Sequence, residues 1–315
     1  MTRSRRRLPC RSGVVAAALG ALAVLRAPPA AGQACCAGGA VVTPTRLAEQ
    51  EDVALGLQMR ARSNLGVFAP DGGYAASAAT EQTLEQDLAG SVRVLRRAQV
   101  GALLPTIQNH RNAGGLDEWG GGIGDLAITA RYDLLLAAEA IRWPGIALLA
   151  GATLPTGTPP DRATRTLATD ATGAGSYDAT VGLGLEKVGD HAYGAVSGWL
   201  THRFARTLSV PGAAPLTESF SLRWTVLAVG GWVFDNEAGL AVYASLLDEG
   251  GATVAGVRDP STSLRLTTVG AAGVLPIREL WRVQGAVFSD VMISSLGRNE
   301  LAGVGFSASL VRVWL

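Results

Sequence analysis

The chain is short of charge, of cysteine and of helical patterning, and each shortage excludes something. Charged residues make up 17% of its 315 positions, against about 25% in ordinary soluble proteins. The formal net charge is +1, and no basic stripe interleaved with aromatics follows the first few residues, so nucleic acid is set aside as a partner. The three histidines, His110, His191 and His202, are too dispersed to complete a site with the cysteines, and no metal or cofactor is expected. Few segments carry the apolar stripe of a helix of three or more turns, which disfavours a soluble α/β domain.

Of the three cysteines, Cys10 falls in the N-terminal leader, leaving Cys35 and Cys36 side by side. A lipid-attachment site needs a Leu-like residue three before the cysteine, and Gly32 stands there. A metal or redox pair and an inert vicinal pair are the other readings. The inert pair is favoured, because a metal site needs more ligands than one close pair.

What is abundant is apolar and small: 48% hydrophobic residues and 40 glycines. The N-terminus reads as an export signal, residues 1–34. Arg3, Arg5, Arg6, Arg7 and Arg11 form a basic region, Gly13–Leu25 an apolar run, and Ala27–Ala34 a small-residue stretch with cleavage near Ala34. The apolar run falls short of the roughly 20 residues of a membrane anchor. Ser4–Leu8 resembles a twin-arginine signal over a short stretch, and general export is preferred. Residues 35–51 are then a short periplasmic segment, and 52–315 the folded body.

That body alternates. In Gly124–Thr158, Leu126, Ile128, Ala130, Tyr132 and Leu134 share one face of an extended strand, while Asp125, Ala127, Thr129, Arg131 and Asp133 share the other. A helix would scatter Asp125, Arg131 and Asp133 among apolar positions. Further strands are predicted over Val53–Arg60, Thr83–Val94, Gln99–Gln108, Ile146–Leu154, Tyr177–Glu186, Ala192–Phe204, Ser219–Val233, Leu240–Leu247, Ser263–Val274, Leu280–Val291 and Leu301–Trp314. Most reach the roughly 9 to 11 residues of a tilted membrane-crossing strand. Asn64–Thr80, Asn109–Gly122, Thr156–Ser176, Ala205–Thr217 and Glu249–Ser261 read as long loops, alternating with short turns.

Charged faces recur along these strands. Glu85, Asp87 and Arg93 lie opposite Leu84, Leu88 and Val92, and Asp178 and Glu186 lie opposite Val181, Leu183 and Leu185. Arg223 opposes Phe220, Leu222, Trp224 and Val226; Arg265 opposes Leu264 and Leu266; Arg282 and Asp290 oppose Trp281, Val283 and Val287. Alternation alone fits both a soluble sandwich and a membrane barrel. The export signal, the rhythm of long and short connections, and Tyr132, Trp232, Phe234, Trp281 and Trp314 near strand ends favour the barrel. The expectation is an all-β, transmembrane antiparallel up-and-down barrel of about twelve strands, with the charged faces lining its lumen.

Two motifs bear on activity. Trp119–Asp125, WGGGIGD, has the glycine spacing of a dinucleotide-binding turn but precedes a strand rather than a helix, so a structural turn is expected. Ser197, Ser221 and Ser245 have no evident strand-borne base except His202, and neither catalytic residues nor an enzyme is predicted.

At Gly124–Asp125, Leu154–Gly157 and Gly173–Ser176 the chain resembles the outer-membrane family known as MetA-pathway of phenol degradation. The resemblance spans about the middle fifth of the chain and rests on backbone motifs. It implies a bacterial outer-membrane channel for small compounds, aromatic or hydrophobic ones among them. The competing expectation is a plugged, structural or adhesive barrel. The implied partners are outer-membrane lipid, the outer-membrane assembly machinery and a small solute.

Overall fold

The computed structural model describes residues 46–139, 142–208, 214–278 and 280–315. The expected export signal and all three cysteines lie outside them. The first strands are β1 Val53–Phe68, β2 Tyr74–Leu95, β3 Ala98–Ala113, β4 Leu116–Ile123, β5 Leu126–Leu135 and β6 Gly145–Leu154. Next come β7 Asp178–Val188, β8 Ala192–Arg203, β9 Arg206–Leu208, β10 Leu216–Ser219, β11 Arg223–Val233 and β12 Gly239–Glu249. The last are β13 Thr253–Val254, β14 Val257–Arg258, β15 Leu264–Arg278, β16 Trp281–Asp290 and β17 Leu301–Trp314. No helix among the described residues is long and apolar enough to cross a membrane.

The strands close into a barrel. Each long strand pairs antiparallel with its chain neighbours, and β1 pairs with β17 from Val53 opposite Trp314 to Val67 opposite Leu301. The 13 hydrogen-bonded strands make twelve staves, because β4 and β5 stack end to end along β3. Pro105 sits at that join. It has no N–H to give to a ladder, and its carbonyl accepts from Gly124 N at 2.8 Å where the pairing of β3 passes from β5 to β4. Both termini of the barrel and the short turns share one end, the periplasmic end of bacterial barrels.

Two expected loops are strand instead. Asn64–Thr80 is the top of β1, a turn at residues 69–73 and the start of β2; Asn109–Gly122 is the top of β3, a two-residue turn and β4. Gly114 and Gly115 have φ of +60° and +82°, the backbone of a tight hairpin turn that matches strand twist. Composition marked these stretches as loops because their outer strands hold small residues. Ser219–Val233 is not continuous either: it breaks at residues 220–222, and β10 joins β9, β13 and β14 in a separate small sheet beyond the barrel wall.

Alternation decides which side of the wall each residue meets. Leu57, Val181 and Val242 are 64%, 61% and 66% exposed on the outer face, part of a belt of large apolar side chains around the barrel. Such a belt would be an aggregation surface in water and is the contact surface in lipid, which excludes the soluble sandwich. Trp232, Trp281 and Trp314 lie near the periplasmic rim, with the Arg312 guanidinium 4.8 Å from the Trp314 ring centre. This is a bacterial outer-membrane barrel.

Candidate functional site

The lumen is not uniformly polar. Tyr193, Leu227, Val229, Ala241, Tyr243, Ala272 and Val274 form a buried apolar cluster across β8, β11, β12 and β15, with Trp199 and Phe288 packed against it. These side chains face inward: Tyr193 lies opposite Gly231, Leu227 opposite Ser197, and Tyr243 opposite Gly270, each pair sharing one face of the sheet.

Glycine makes room for this cluster. A Cβ on Gly231 would sit under 3.0 Å from the Tyr193 ring, and the same holds for Gly270 with Tyr243, Gly182 with Trp199 and Gly305 with Phe288. Each ring therefore lies flat across the neighbouring strand instead of standing up into the lumen. The apolar sector stays thin.

Beside it lies a cavity of about 130 Å³. Leu149, Trp199, Leu227 and Val229 supply its apolar side, while Gln99, Thr129, Arg131 and Glu186 supply the polar side. Its volume is close to that of an apolar protein cavity that holds one benzene, about 150 Å³.

The charged side chains gather in clusters, of which Arg131 and Glu186 line this space. Arg131 bridges Asp133 at 2.6 Å and Glu186 at 3.0 Å. Glu85 pairs with Arg60 at 3.4 Å, and Asp87 is buried beside it on the same face of β2. Asp178 meets Arg203 at 3.7 Å; Arg203 and Arg223 share Glu249, at 3.1 Å and 2.6 Å. Asp290 takes Arg62 at 2.8 Å and the Thr268 hydroxyl at 2.6 Å.

Three of the predicted residues do other work. Asp125 accepts from Gly157 N at 2.9 Å and Ala174 N at 2.6 Å, pinning a loop rather than pairing with Arg131. Arg93 donates to the Ala48 and Glu51 carbonyls, and Arg282 bridges Glu51 at 2.8 Å, so both hold the chain ahead of β1. Arg265 is the one on the other face. It lies opposite Asp248 and bridges it at 2.6 Å, while the adjacent pairs, Leu266 with Leu247 and Leu264 with Glu249, take the face of Tyr243. Leu264 and Leu266, expected on the lipid side, are thus inward. The register of β12 fixes this, and two leucines at a strand end could not reveal it.

Both ends of the lumen hold folded chain. At the outer end residues 156–176 lie against the inner face of β3 and β4. Asn109 donates to the Thr169 and Ala171 carbonyls, both at 3.1 Å, and Glu118 accepts from Leu167 N at 2.8 Å. Gly120, in the WGGGIGD stretch, is where Thr169 presses on the wall: a Cβ there would sit under 3.0 Å from the Thr169 side chain. At the periplasmic end Arg46–Asp52 crosses the mouth, with Arg46 bridging Glu186 at 2.6 Å and Leu47 packed against Ala54, Val311 and Val313.

Solved structures share this architecture. The COG4313 outer membrane channel from Pseudomonas putida F1 superposes with a TM-score of 0.70 at 15% identity, over 86% of this chain and 97% of that one. The translocator domain of the autotransporter NalP from Neisseria meningitidis gives 0.49 at 11% identity, over 84% and 88%. The TodX monoaromatic hydrocarbon channel gives 0.46 at 8% identity, over 92% and 97%. No protein-family model and no curated protein matches the chain. At 15% identity the likeness to the COG4313 channel bears on the fold alone, a closed β-barrel.

Several lumen residues have no counterpart among those the sequence singled out: Arg60, Arg62, Arg203 and Glu249 among the charges, Tyr193, Trp199, Leu227 and Tyr243 among the apolar groups. One signal was available for the aromatics. Tyr193 alternates with outward Val196 and Leu200 only when Gly194 and Gly198 are counted as wall positions, and apolar residues on both faces hide the alternation. Ser197 faces the cavity, whereas His202 is on the opposite face, 4.9 Å from the Phe204 ring, so the two do not meet.

Proposed function

We infer that the chain is an outer-membrane channel for small hydrophobic compounds, aromatic ones included. The observation that carries this reading is the inward apolar sector leading to a benzene-sized cavity. A pore for hydrated ions or sugars has no use for Leu227, Val229 and Trp199 in its wall, since apolar lining raises the free energy of a hydrated solute. An aromatic molecule gains there by removing its apolar surface from water. Outer-membrane lipid is the partner of the outward belt, and the assembly machinery of the outer membrane inserts the barrel after removal of the export signal.

A second reading, a non-conducting structural or adhesive barrel, draws on the folded chain at both ends of the lumen. Uptake of the fluorescent apolar dye N-phenyl-1-naphthylamine by intact cells separates the two. Cells bearing the protein should take up the dye faster than cells without it. Leu227→Asp, which sets an ionised carboxylate in the apolar path, should cut the gain about tenfold. Equal uptake with and without the protein would favour the non-conducting barrel.

A further inference from the structure

The stretch Arg46–Asp52 is held in the periplasmic mouth in an unusual way for chain beside a β-sheet. It bonds to the wall backbone to backbone only where β1 begins, with Asp52 N donating to the Trp314 carbonyl at 2.8 Å and Arg93 N to the Asp52 carbonyl at 2.7 Å. Everything ahead of that point is fixed through side chains. Arg46 is fixed on Glu186, Leu47 N on Gln99 Oε1 at 3.3 Å, Glu51 on Arg282, and the Ala48 and Glu51 carbonyls on Arg93. A ladder of backbone bonds lets go cooperatively or not at all, whereas side-chain latches around one hinge at Asp52–Val53 release without disturbing the barrel.

The latch is also part of the cavity. Arg46 and Glu186 both line the space beneath Trp199 and Leu227, so whatever enters that space touches the pair holding the strap shut. Arg282 and Glu51 are 9% and 6% exposed at the side chain. A buried ion pair contributes little net stability, because desolvation offsets the attraction. It does discriminate between two arrangements: with the strap withdrawn, Glu186 keeps Arg131 but loses Arg46, and Arg282 loses Glu51, losses that water entering the mouth would offset.

We propose that Arg46–Asp52 is the periplasmic gate of the lumen, hinged at Asp52 and latched on Glu186, Arg282 and Arg93, with the Arg46–Glu186 pair serving at once as latch and as floor of the solute cavity. This rests on the reading of the lumen as a solute path and supplies its regulation. Opening moves the strap toward the periplasm, lets water reach the three latch residues and joins the cavity to the periplasmic space.

The test uses the full chain with Cys10, Cys35 and Cys36 changed to serine and one reporter thiol at the cavity wall, Ser197→Cys. A charged methanethiosulfonate reagent measures how often the cavity meets bulk water. Adding Arg46→Ala and Glu51→Ala, both on the strap and neither in the barrel wall, should speed labelling about tenfold or more. Arg46→Lys, which keeps the charge, should stay near the reporter parent, and Glu51→Gln should fall between. Heat-modifiable migration on gels confirms that each variant retains its barrel, and Glu51→Gln carries the test if the double variant does not fold. Equal labelling rates in latched and unlatched proteins would overturn the gate. Dye uptake by cells is scored separately: faster labelling without dye uptake keeps the gate and rejects the hydrophobic channel, while dye uptake with equal labelling keeps the channel and rejects the gate.

Discussion

Two sectors of the lumen wall, adjoining where β7 pairs with β8, are built on different principles. In the sector of β8, β11, β12 and β15 the inward side chains are rings and aliphatic groups laid flat over glycines, with charges only toward the strand ends, as at Arg223 and Glu249. In the sector of β1, β2, β5 and β7 the inward face carries ion pairs among small and polar residues, Arg60 with Glu85 and Arg131 with Asp133 and Glu186. The apolar sector is fixed by shape, since a Cβ added at Gly231 or Gly270 would displace the ring of Tyr193 or Tyr243. The ionic sector is fixed by charge balance, since removing one partner leaves another stranded in a confined space. Under the proposed function, a small solute passing between them meets an apolar wall on one side and a polar, orienting wall on the other.

The largest effect is expected where charge balance fails. Glu186 is buried between Arg46 and Arg131, so Glu186→Lys would gather three cations at one point. Breaking a buried pair in this way costs about 3 to 5 kcal/mol, to be read as a lowered midpoint in urea unfolding of the reconstituted barrel. A midpoint equal to wild type would show the ionic sector to be fully hydrated and would erase the contrast between sectors.

A smaller loss is expected from shape. Gly231→Leu drives a side chain into the Tyr193 ring, and overpacking of this kind costs about 1 to 3 kcal/mol. Because the ring is pushed toward the passage, dye uptake should fall along with stability. Unchanged uptake would place the solute path away from Tyr193 and sharpen the map to the Trp199 side.

The smallest effect concerns the loop over the ionic sector. Asp170 accepts from Thr164 N at 2.8 Å, Thr164 Oγ1 at 2.7 Å and Arg165 N at 3.2 Å, and these bonds hold its pKa down from 3.8 to about 2. A depressed carboxylate stabilises the folded loop above its unfolded pKa and loses that contribution as pH falls through the folded value. Amide exchange protection at Thr164, corrected for intrinsic rates, should therefore decline between pH 3.8 and about 2. In Asp170→Asn it should be low and flat across the same window. Protection that persists at the acid end would mean the loop is held by Asn109 and Glu118 alone.

Much of the outer face was legible from sequence for a simple reason: lipid accepts only apolar side chains, so every stave must repeat them at period two. Ile128, Leu183 and Val287 stand out by that rule alone. The lumen obeys no such uniform solvent. Ser197 and Trp199 share a face with Tyr193, and Leu227 and Val229 share one with Arg223, so polarity along an inward face changes within a few residues. Loop boundaries failed where glycine had a packing role, as at Gly120 under Thr169, rather than a turning one.

The sequence by itself determined the period, and the period with the expected export signal led to a membrane barrel, because alternation is a local property of a strand and needs no partner to be read. Which strand face receives Arg265, which groups of the chain ahead of β1 Arg93 and Arg282 hold, and the meeting of Arg46 with Glu186 were decided only in three dimensions. Those contacts join residues as far as 231 and 140 positions apart along the chain, and they depend on closing twelve staves in one register.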